Sequence, residues 1–473
     1  MSLRPPPHNR RERPPSPGAI GRALGLVASV ACVAGCEPLI REVPVRLEIP
    51  EESAALEAAD NFSLYLEPDG TVAQYDVDGL DFVVSLEIEE ADVIRTLSAY
   101  LALGDTLLAW GRTDPFFGAS IGDPVALFLG LPGRLATLQG TIAAPDPDLQ
   151  AAAAIGRGVL IVGGSGDTAL FQSYPWTFAQ GATLDDPPAP GTGGLFAVVD
   201  GAVMRLAWET TWFSARYEPA SDIWLPLTLD PTPVARPGAI VLESPAADRV
   251  YLLGGDGMLD GLAVGMLPDA QGRLATATLE GFTMDRPRDG GTAIWATPAD
   301  STSDRLMIFG GDSPGPLVWV WPEAVSAGTP LTWTGARCAR VESAAIWCAG
   351  GTREGVLTRS LVRIDLANPS VPVVTEFPDV FPVDVPDPRL WAETGAVYAQ
   401  AEGHLWRLEP ATSPEAPPTA VQVMDDTLRA TGGYFIRLDS GATFLAGGVT
   451  LDGTPVDRWQ VFTPDPTLDP SAP

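Results

Sequence analysis

The stretch Arg157-Gly158-Val159-Leu160-Ile161-Val162-Gly163-Gly164 contains the pattern that decides the fold. A short apolar run ends in a pair of glycines, and the run is rich in the β-branched residues that favour strands. The same figure recurs at 250–255, 306–311, 345–351 and 443–448. Because glycine accepts a positive φ and lets a neighbouring backbone approach closely, each doublet indicates a tight exit from a strand.

The spacing of the doublets predicts a repeat fold. They begin at residues 163, 254, 310, 350 and 447, with gaps of 91, 56, 40 and 97 residues. Each long gap holds a degenerate copy, at 195–201 and at 396–403. Seven motifs about 47 residues apart predict a β-propeller whose blades have four short strands each. An array of β-sandwiches with chance glycine pairs is the alternative.

The strand after each doublet carries aromatic residues in places, as in Tyr174-Pro175-Trp176 and Trp319-Val320-Trp321. Together with the doublets, these strands resemble the kelch family of propellers. The resemblance covers 132–464 and implies an all-β protein with a seven-bladed kelch-like β-propeller. We expect the ring to close by pairing a strand near 135–142 with one near 456–462, because closure removes exposed strand edges.

The segment 45–131 shows strands of another kind. Two apolar runs flank Pro68-Asp69-Gly70, which is a hairpin signal, and further short strands follow without a Gly-Gly exit. These features predict a small β-sandwich before the propeller. The alternative is an eighth blade with decoration. Residues 465–473 are expected to form a polar, disordered tail.

The N-terminus predicts export and a lipid anchor. Five arginines precede an apolar run too short to span a bilayer, and this run ends in Val33-Ala34-Gly35-Cys36. The ending resembles the bacterial lipobox, which implies a lipoprotein signal peptide at 1–35, palmitate-type acylation of Cys36 and a tether at 36–44. An ordinary cleaved signal and an uncleaved anchor are the alternatives. By the same resemblance, Glu37 favours the outer membrane over the inner one.

Composition limits the possible chemistry. Residues 1–35 hold five Arg and one Glu, so 29 − 5 = 24 basic and 60 − 1 = 59 acidic residues remain, a net charge near −35. Such a charge repels nucleic acid and anionic head groups, which leaves membrane attachment to the lipid on Cys36. The chain has no Lys, which excludes Schiff-base chemistry. His8 leaves with the signal, so His404 alone cannot form a multi-histidine metal site. No cofactor or metal is predicted; the acidic run at 76–81 favours a turn over a calcium loop.

Cys338 and Cys348 stand symmetrically about Ser343, as cross-strand partners in a hairpin would. Thiols are oxidised beyond the inner membrane of a bacterium. The sequence therefore predicts a disulfide between these two cysteines.

Four arginines, Arg236, Arg286, Arg337 and Arg389, recur at intervals of 50, 51 and 52 residues. By resemblance to the kelch pattern, they would open the inner strands and point toward one mouth of the central channel. There they could bind a carboxylate or sulfate group, or each could pair with an acid of a neighbouring blade and hold the ring together. The second interpretation is favoured.

Two classes of function stay open. One is a non-catalytic binding or scaffolding lipoprotein of the cell envelope, with a protein or polysaccharide ligand, on the periplasmic or the surface face. The other is a carbohydrate-active enzyme that uses carboxylates. The scarcity of His, Lys and free Cys favours the first.

Overall fold

The computed structural model describes residues 40–466, and the regular secondary structure that it describes is almost entirely strand. The ranges left out within these limits are 51–52, 78–83, 90–92, 114, 118–124, 143–150, 156–157, 164–169, 176–181, 184–194, 200–201, 209–211, 219–220, 222, 247, 299–302, 342–343, 394–395, 410, 412, 414–415, 426–429, 432, 438–441 and 451. The all-β prediction is confirmed. The predicted signal peptide, Cys36 and most of the run 76–81 lie outside the described residues, as do residues 467–473.

The chain begins with two sheets that share one core. The first sheet has the order β4-β1-β8, from β1 (Ile40–Glu48), β4 (Val84–Glu89) and β8 (Val125–Phe128). The second has the order β3-β2-β5-β6, with β7 paired to β5, from β2 (Asn61–Glu67), β3 (Thr71–Asp76), β5 (Ile94–Leu103), β6 (Thr106–Arg112) and β7 (Phe116–Phe117). A 3-10 helix, Ser53–Ala58, lies between β1 and β2. Strand β1 begins inside the segment predicted as a tether, 36–44.

Alternation of side chains explains how the two sheets come together. Phe62, Leu64 and Leu66 of β2 are buried, and they pack with Val43 of β1 and Leu97 of β5 in one apolar cluster. Successive residues of a strand point to opposite faces, so each sheet presents one apolar face to the other.

The described residues after these two sheets form small, mostly antiparallel sheets with eight groups of four strands, of which seven are here called units A to G. Unit A consists of β10 (Ala151–Ile155), β11 (Gly158–Gly163), β12 (Leu170–Pro175) and β13 (Ala182–Thr183); unit B of β14 (Leu195–Val199), β15 (Ala202–Trp208), β16 (Trp212–Glu218) and β17 (Ile223–Asp230); unit C of β18 (Ile240–Glu243), β19 (Arg249–Leu253), β20 (Gly261–Gly265) and β21 (Arg273–Thr278); unit D of β22 (Thr292–Ala296), β23 (Arg305–Phe309), β25 (Val318–Trp321) and β26 (Val325–Ala327).

Unit E consists of β28 (Arg337–Arg340), β29 (Ala345–Ala349), β32 (Leu361–Asp365) and β33 (Val373–Phe377); unit F of β34 (Arg389–Glu393), β35 (Ala396–Ala401), β36 (His404–Glu409) and β37 (Thr419–Asp425); unit G of β39 (Tyr434–Arg437), β40 (Thr443–Ala446), β42 (Arg458–Thr463) and β9 (Arg134–Thr141). Two further sheets join connecting segments: β24 (Gly311–Gly315), β27 (Leu331–Thr334), β30 (Thr352–Arg353) and β31 (Val356–Leu357) form one, and β38 (Ala430–Thr431) pairs with β41 (Val449–Thr450) in the other.

Unit G contains strands from both ends of the repeat region. Strand β9 pairs antiparallel with β42, with Leu135 opposite Phe462. The pairing predicted between a strand near 135–142 and one near 456–462 is confirmed. The first strands of neighbouring units also lie side by side: β10 beside β14 and β39, β18 beside β22, β22 beside β28, and β28 beside β34.

Two features differ from the predicted repeat. The doublets at 254, 310, 350 and 447 follow the second strands of their units, whereas the degenerate copy at 195–201 begins with the first strand of unit B, β14. In addition, the last strands of units B and C, β17 and β21, pair in parallel and join the two units into one eight-stranded sheet.

The two N-terminal sheets are bonded to unit G. Trp110 and Gly130 exchange backbone hydrogen bonds of 3.1 and 2.9 Å, and the Trp110 Nε1–H donates to the Pro464 carbonyl at 2.7 Å. Phe128 of β8 packs on Phe444 of β40, with ring centroids 4.8 Å apart. The described residues from Ile40 onward therefore form one compact unit. Among them, no helix is long and apolar enough to cross a membrane.

Candidate functional site

The Gly-Gly doublets are the points where consecutive units meet. At Gly310-Gly311, φ is 76° and 118°. A Cβ on Gly310 would lie 2.2 Å from the carbonyl oxygen of Trp333, in the segment that leads into unit E. A Cβ on Gly311 would lie 2.7 Å from the Cα of Arg288, in the segment that leads into unit D itself. Only glycine fits between these two backbones.

The doublets that close the second strands of units C and E repeat this arrangement. The first glycine, Gly254 or Gly350, faces the segment before the next unit, at Met284 or Pro388. The second glycine faces the segment before its own unit: Gly255 lies against Arg236, and Gly351 against Thr334. Each of these doublets therefore lies at the end of a second strand, between the segment that precedes its own unit and the segment that precedes the next unit.

Arg236 is buried at the junction of unit C, where both Nη atoms of its guanidinium donate hydrogen bonds. Nη1 donates to the Gly254 carbonyl at 3.1 Å and to the Asp260 carbonyl at 3.2 Å. Nη2 donates to the Asp260 carboxylate at 2.8 Å. This hydrogen bond is the main reason that the pKa of Asp260 lies below its ordinary value. The arginine holds the doublet of its own unit.

Arg286 and Arg288 lie side by side at the junction of unit D, and both are buried. Arg288 donates to both Asp285 carboxylate oxygens at 3.1 Å and to the carbonyls of Gly310, Pro316 and Leu317 at 2.8, 3.0 and 3.1 Å. Arg286 donates from Nη2 to the Pro316 carbonyl at 3.0 Å and more weakly to Gly310 at 3.4 Å. Its Nε and Nη1 have no acceptor among the described residues.

The two guanidinium groups differ in how well their charges are compensated. Burial, and next the charge of Arg288, lower the pKa of Arg286 to about 10. Burial also lowers the pKa of Arg288, while the bonds to Asp285 partly restore it. Arg286 therefore carries a buried charge with little compensation, and Arg288 a well-compensated one.

Arg337 and Arg389 connect consecutive units. Arg337 is exposed in β28 of unit E, and its Nε donates at 3.0 Å to Asp387, which lies just before unit F. Arg389 is buried in β34 of unit F, and its Nη2 donates at 2.8 Å to the Gly447 carbonyl of unit G. Its Nη1 donates to Gln400, whose amide donates in turn to Gln460 of unit G. The four predicted arginines thus lie at successive junctions.

Two residues bind a doublet as Arg236 does, although the regular spacing of the four arginines did not reveal them. In the doublets at Gly254, Gly310 and Gly350, the carbonyl of the first glycine accepts a hydrogen bond from a buried side chain in the segment that precedes the same unit. At 310 the better placed donor is Arg288, two residues after the predicted Arg286. At 350 it is the indole Nε1 of Trp333, at 2.7 Å. The run Arg286-Pro287-Arg288-Asp289 offered the first as a candidate, whereas no arginine pattern could reveal a tryptophan.

The predicted cysteine pair is confirmed. Cys338 and Cys348 are direct partners across β28 and β29, with Cα atoms 4.1 Å apart. Their sulfur atoms are 1.97 Å apart, so the pair is suited to a disulfide. The bond would fix the register of the first two strands of unit E.

His404 packs on an aromatic ring at the start of a strand. His404 begins β36, and its ring packs on Trp406 with centroids 5.3 Å apart. No group of three or more His, Cys, Asp or Glu side chains is placed to hold a metal ion within the described ranges. The most perturbed tyrosine, Tyr398, is buried, which raises its pKa to about 12 and keeps the phenol protonated.

No protein-family model matches the chain, and a search of curated proteins finds no significant match. The resemblance to the kelch family therefore rests on the doublets and the aromatic strands quoted above, and it stays a prediction.

Proposed function

We propose that units A to G are the blades of a closed, seven-bladed kelch-like β-propeller, preceded by a β-sandwich. Three observations support this arrangement. Strand β9 completes the last unit from the start of the repeat region. The first strands of several neighbouring units lie side by side. The doublets contact the lead-in segments of consecutive units, as packed blades require.

We further propose that the protein is a lipid-anchored, non-catalytic binding or scaffolding module of the bacterial cell envelope, attached to the outer membrane through Cys36. The observation that carries the non-catalytic role is the use of the buried arginines at the junctions. Arg236, Arg288 and Arg389 donate to backbone carbonyls at the junctions, so they brace the ring. A rigid ring of short strands offers loops at its faces for a protein or polysaccharide ligand.

A polysaccharide screen tests the role. The purified protein is passed over immobilised envelope and extracellular polysaccharides, and the eluate is assayed for reducing ends. Retention without cleavage supports a binding module. Release of reducing ends identifies the carbohydrate-active enzyme instead, and a paired-carboxylate mechanism would then have to be sought among the 60 acidic residues of the chain.

The anchor is tested separately. Cells that express the protein are fed a labelled fatty acid, and we expect label in the wild-type chain and none in Cys36→Ser. Cys32→Ser is the matched control, because Cys32 lies in the same apolar run but before the predicted cleavage point. Equal labelling of wild type and Cys36→Ser would overturn the lipoprotein assignment.

A further inference from the structure

The junction of unit D contains a buried arginine whose guanidinium is only partly hydrogen-bonded. Arg286 is 8% exposed, and it donates through Nη2, to the carbonyls of Pro316 and Gly310. Its Nε and Nη1 are enclosed, and neither has a hydrogen-bond partner among the residues that the structure describes. Burying a donor without an acceptor is costly, most of all when the donor carries a charge. The two N–H groups therefore need an acceptor that the described chain does not supply.

The charges at this junction have a positive excess. Arg286 and Arg288 are both buried, and they share one nearby carboxylate that is held in an ion pair, that of Asp285. Both oxygens of this carboxylate accept from Arg288, and one also accepts from the Ser326 hydroxyl at 2.6 Å. The charge of Asp312 also acts on Arg286, but the Asp312 side chain is exposed. One buried positive charge is thus left without an ion-pair partner.

The charge and the enclosure together select the kind of ligand. A water oxygen accepts hydrogen bonds from Nε and Nη1 of Arg286, but it does not neutralise the guanidinium, whereas an anion does both. Sulfate and phosphate have four oxygens, more than two enclosed donors can satisfy. The carboxylates of Asp285 and Asp312 also repel a doubly charged ion about twice as strongly as a singly charged one. These features favour a small monovalent anion.

Strand β24 covers the guanidinium. A Cβ on Gly315 would lie 2.6 Å from Cδ and 2.7 Å from Nε of Arg286, so glycine provides the space that this side chain fills. Strand β24 pairs with β27 at Gly311 and at Gly315, and the register shifts between these two pairs. In the stretch between them, the Asp312 N–H donates to the Asp289 carbonyl at 2.9 Å. An outward shift of this short stretch, with both strand pairs kept, would admit an ion.

We propose that Arg286 is the binding site of a small monovalent anion such as chloride, held between β24 and the segment that precedes unit D. The ion would accept hydrogen bonds from Nε and Nη1 and complete the charge balance of the junction. The site depends neither on the lipid anchor nor on closure of the ring. The stability of the protein should consequently depend on which anion is present, and not on ionic strength alone.

Urea denaturation of the full-length protein in a neutral detergent tests the proposal, in sodium chloride and in sodium gluconate of the same ionic strength. Gluconate is too large for the enclosed site and keeps electrostatic screening constant. At a chloride concentration of four times the dissociation constant, we expect the unfolding equilibrium constant of the wild-type protein to be about five-fold lower than in gluconate, as binding to the folded state alone requires. Arg286→Met should have the same unfolding constant in both salts.

Arg337→Met is the matched control. Arg337 belongs to the next junction, but it is exposed and paired with Asp387, so its removal should leave the wild-type response to chloride unchanged. Equal unfolding constants of the wild-type protein in the two salts would overturn the proposal and assign the N–H groups of Arg286 to water. A chloride response that persists in Arg286→Met would overturn it as well, because the ion would then bind elsewhere.

A second measurement avoids reliance on variants. Bromide resembles chloride in charge and size and scatters X-rays anomalously. Crystals of the wild-type protein grown in sodium bromide should show an anomalous peak in contact with the Arg286 guanidinium. Bromide peaks that lie only on the protein surface would overturn the proposal.

Discussion

At the scale of single residues, Arg286 and Arg288 differ in the hydrogen bonds that would be lost without them. If Arg286 is removed, the Pro316 and Gly310 carbonyls keep their bonds from Arg288. If Arg288 is removed, Asp285 loses both of its bonds from this arginine, and the Leu317 carbonyl keeps only the bond from the Gly310 N–H. Substitution of the two neighbouring arginines therefore compares a buried charge that holds several groups with one whose acceptors keep another donor.

We predict that Arg288→Met lowers the free energy of unfolding by about 3 kcal/mol, because it removes the five hydrogen bonds that this buried guanidinium donates. Arg286→Met should remain within about 1 kcal/mol of wild type, because it removes a poorly compensated buried charge. Urea denaturation followed by tryptophan fluorescence measures both. Equal losses for the two variants would contradict this distinction and assign Arg286 a bracing role.

At the scale of the strand and its exit, the doublets matter through close packing as well as positive φ. Gly351 and Gly355 have similar φ values, 81° and 77°. A Cβ on Gly351 would lie 2.3 Å from the Thr334 carbonyl oxygen, whereas a Cβ on Gly355 would meet nothing within 4 Å. The pair therefore separates backbone strain from the junction contact.

We predict that Gly355→Ala lowers the free energy of unfolding by about 1–2 kcal/mol, the strain of a left-handed alanine. Gly351→Ala should lower it by about 4 kcal/mol or more, since two backbones must also move apart. Thermal and urea denaturation of both variants check the difference. If the two variants lose equal stability, the doublets matter only through their positive φ, and the close contacts at the junction do not contribute to stability.

The hairpin of β28 and β29 gives a second prediction at this scale. The bond between Cys338 and Cys348 closes a loop with a sequence separation of 10 residues. A loop of this length predicts a loss of about 3 kcal/mol when the bond is reduced. The urea midpoint should fall on addition of reductant, and the double variant Cys338→Ala and Cys348→Ala should not respond to it. Two free thiols in exported protein would contradict the disulfide.

The sequence predicted the elements better than their partners. The apolar runs before the doublets are strands because their β-branched residues suit a buried sheet, and the cysteine spacing located a hairpin. The degenerate copy at 195–201 begins with the first strand of its unit, whereas the doublets follow second strands, and an apolar run followed by glycine does not distinguish the two positions. The parallel pairing of β17 with β21 depends on tertiary contact between outer strands, which local periodicity does not encode. Likewise, only the fold reveals that Trp333 substitutes for an arginine.

At the scale of the whole molecule, the two ends of the described chain converge on unit G. Strand β9 takes the outer place beside β42, and the same region binds the N-terminal sheets through Gly130, Trp110 and Thr463. Gly130 has no room for a side chain, because a Cβ there would lie 1.7 Å from the Thr463 hydroxyl oxygen. The N-terminal sheets and the repeat units should therefore unfold together.

Truncation after Gly448 tests this coupling. It removes β42, so β9 loses its partner strand, and the cores that contain Trp459 and Phe462, both fully buried, are opened. Trp110 also loses the Pro464 carbonyl. Because these losses reach the first and last units and the N-terminal sheets at once, we expect the truncated chain to be insoluble or unfolded by circular dichroism. Truncation after Pro466 keeps every described strand and should melt at the wild-type temperature. A folded, soluble product that ends at Gly448 would show that β42 does not hold the two ends together.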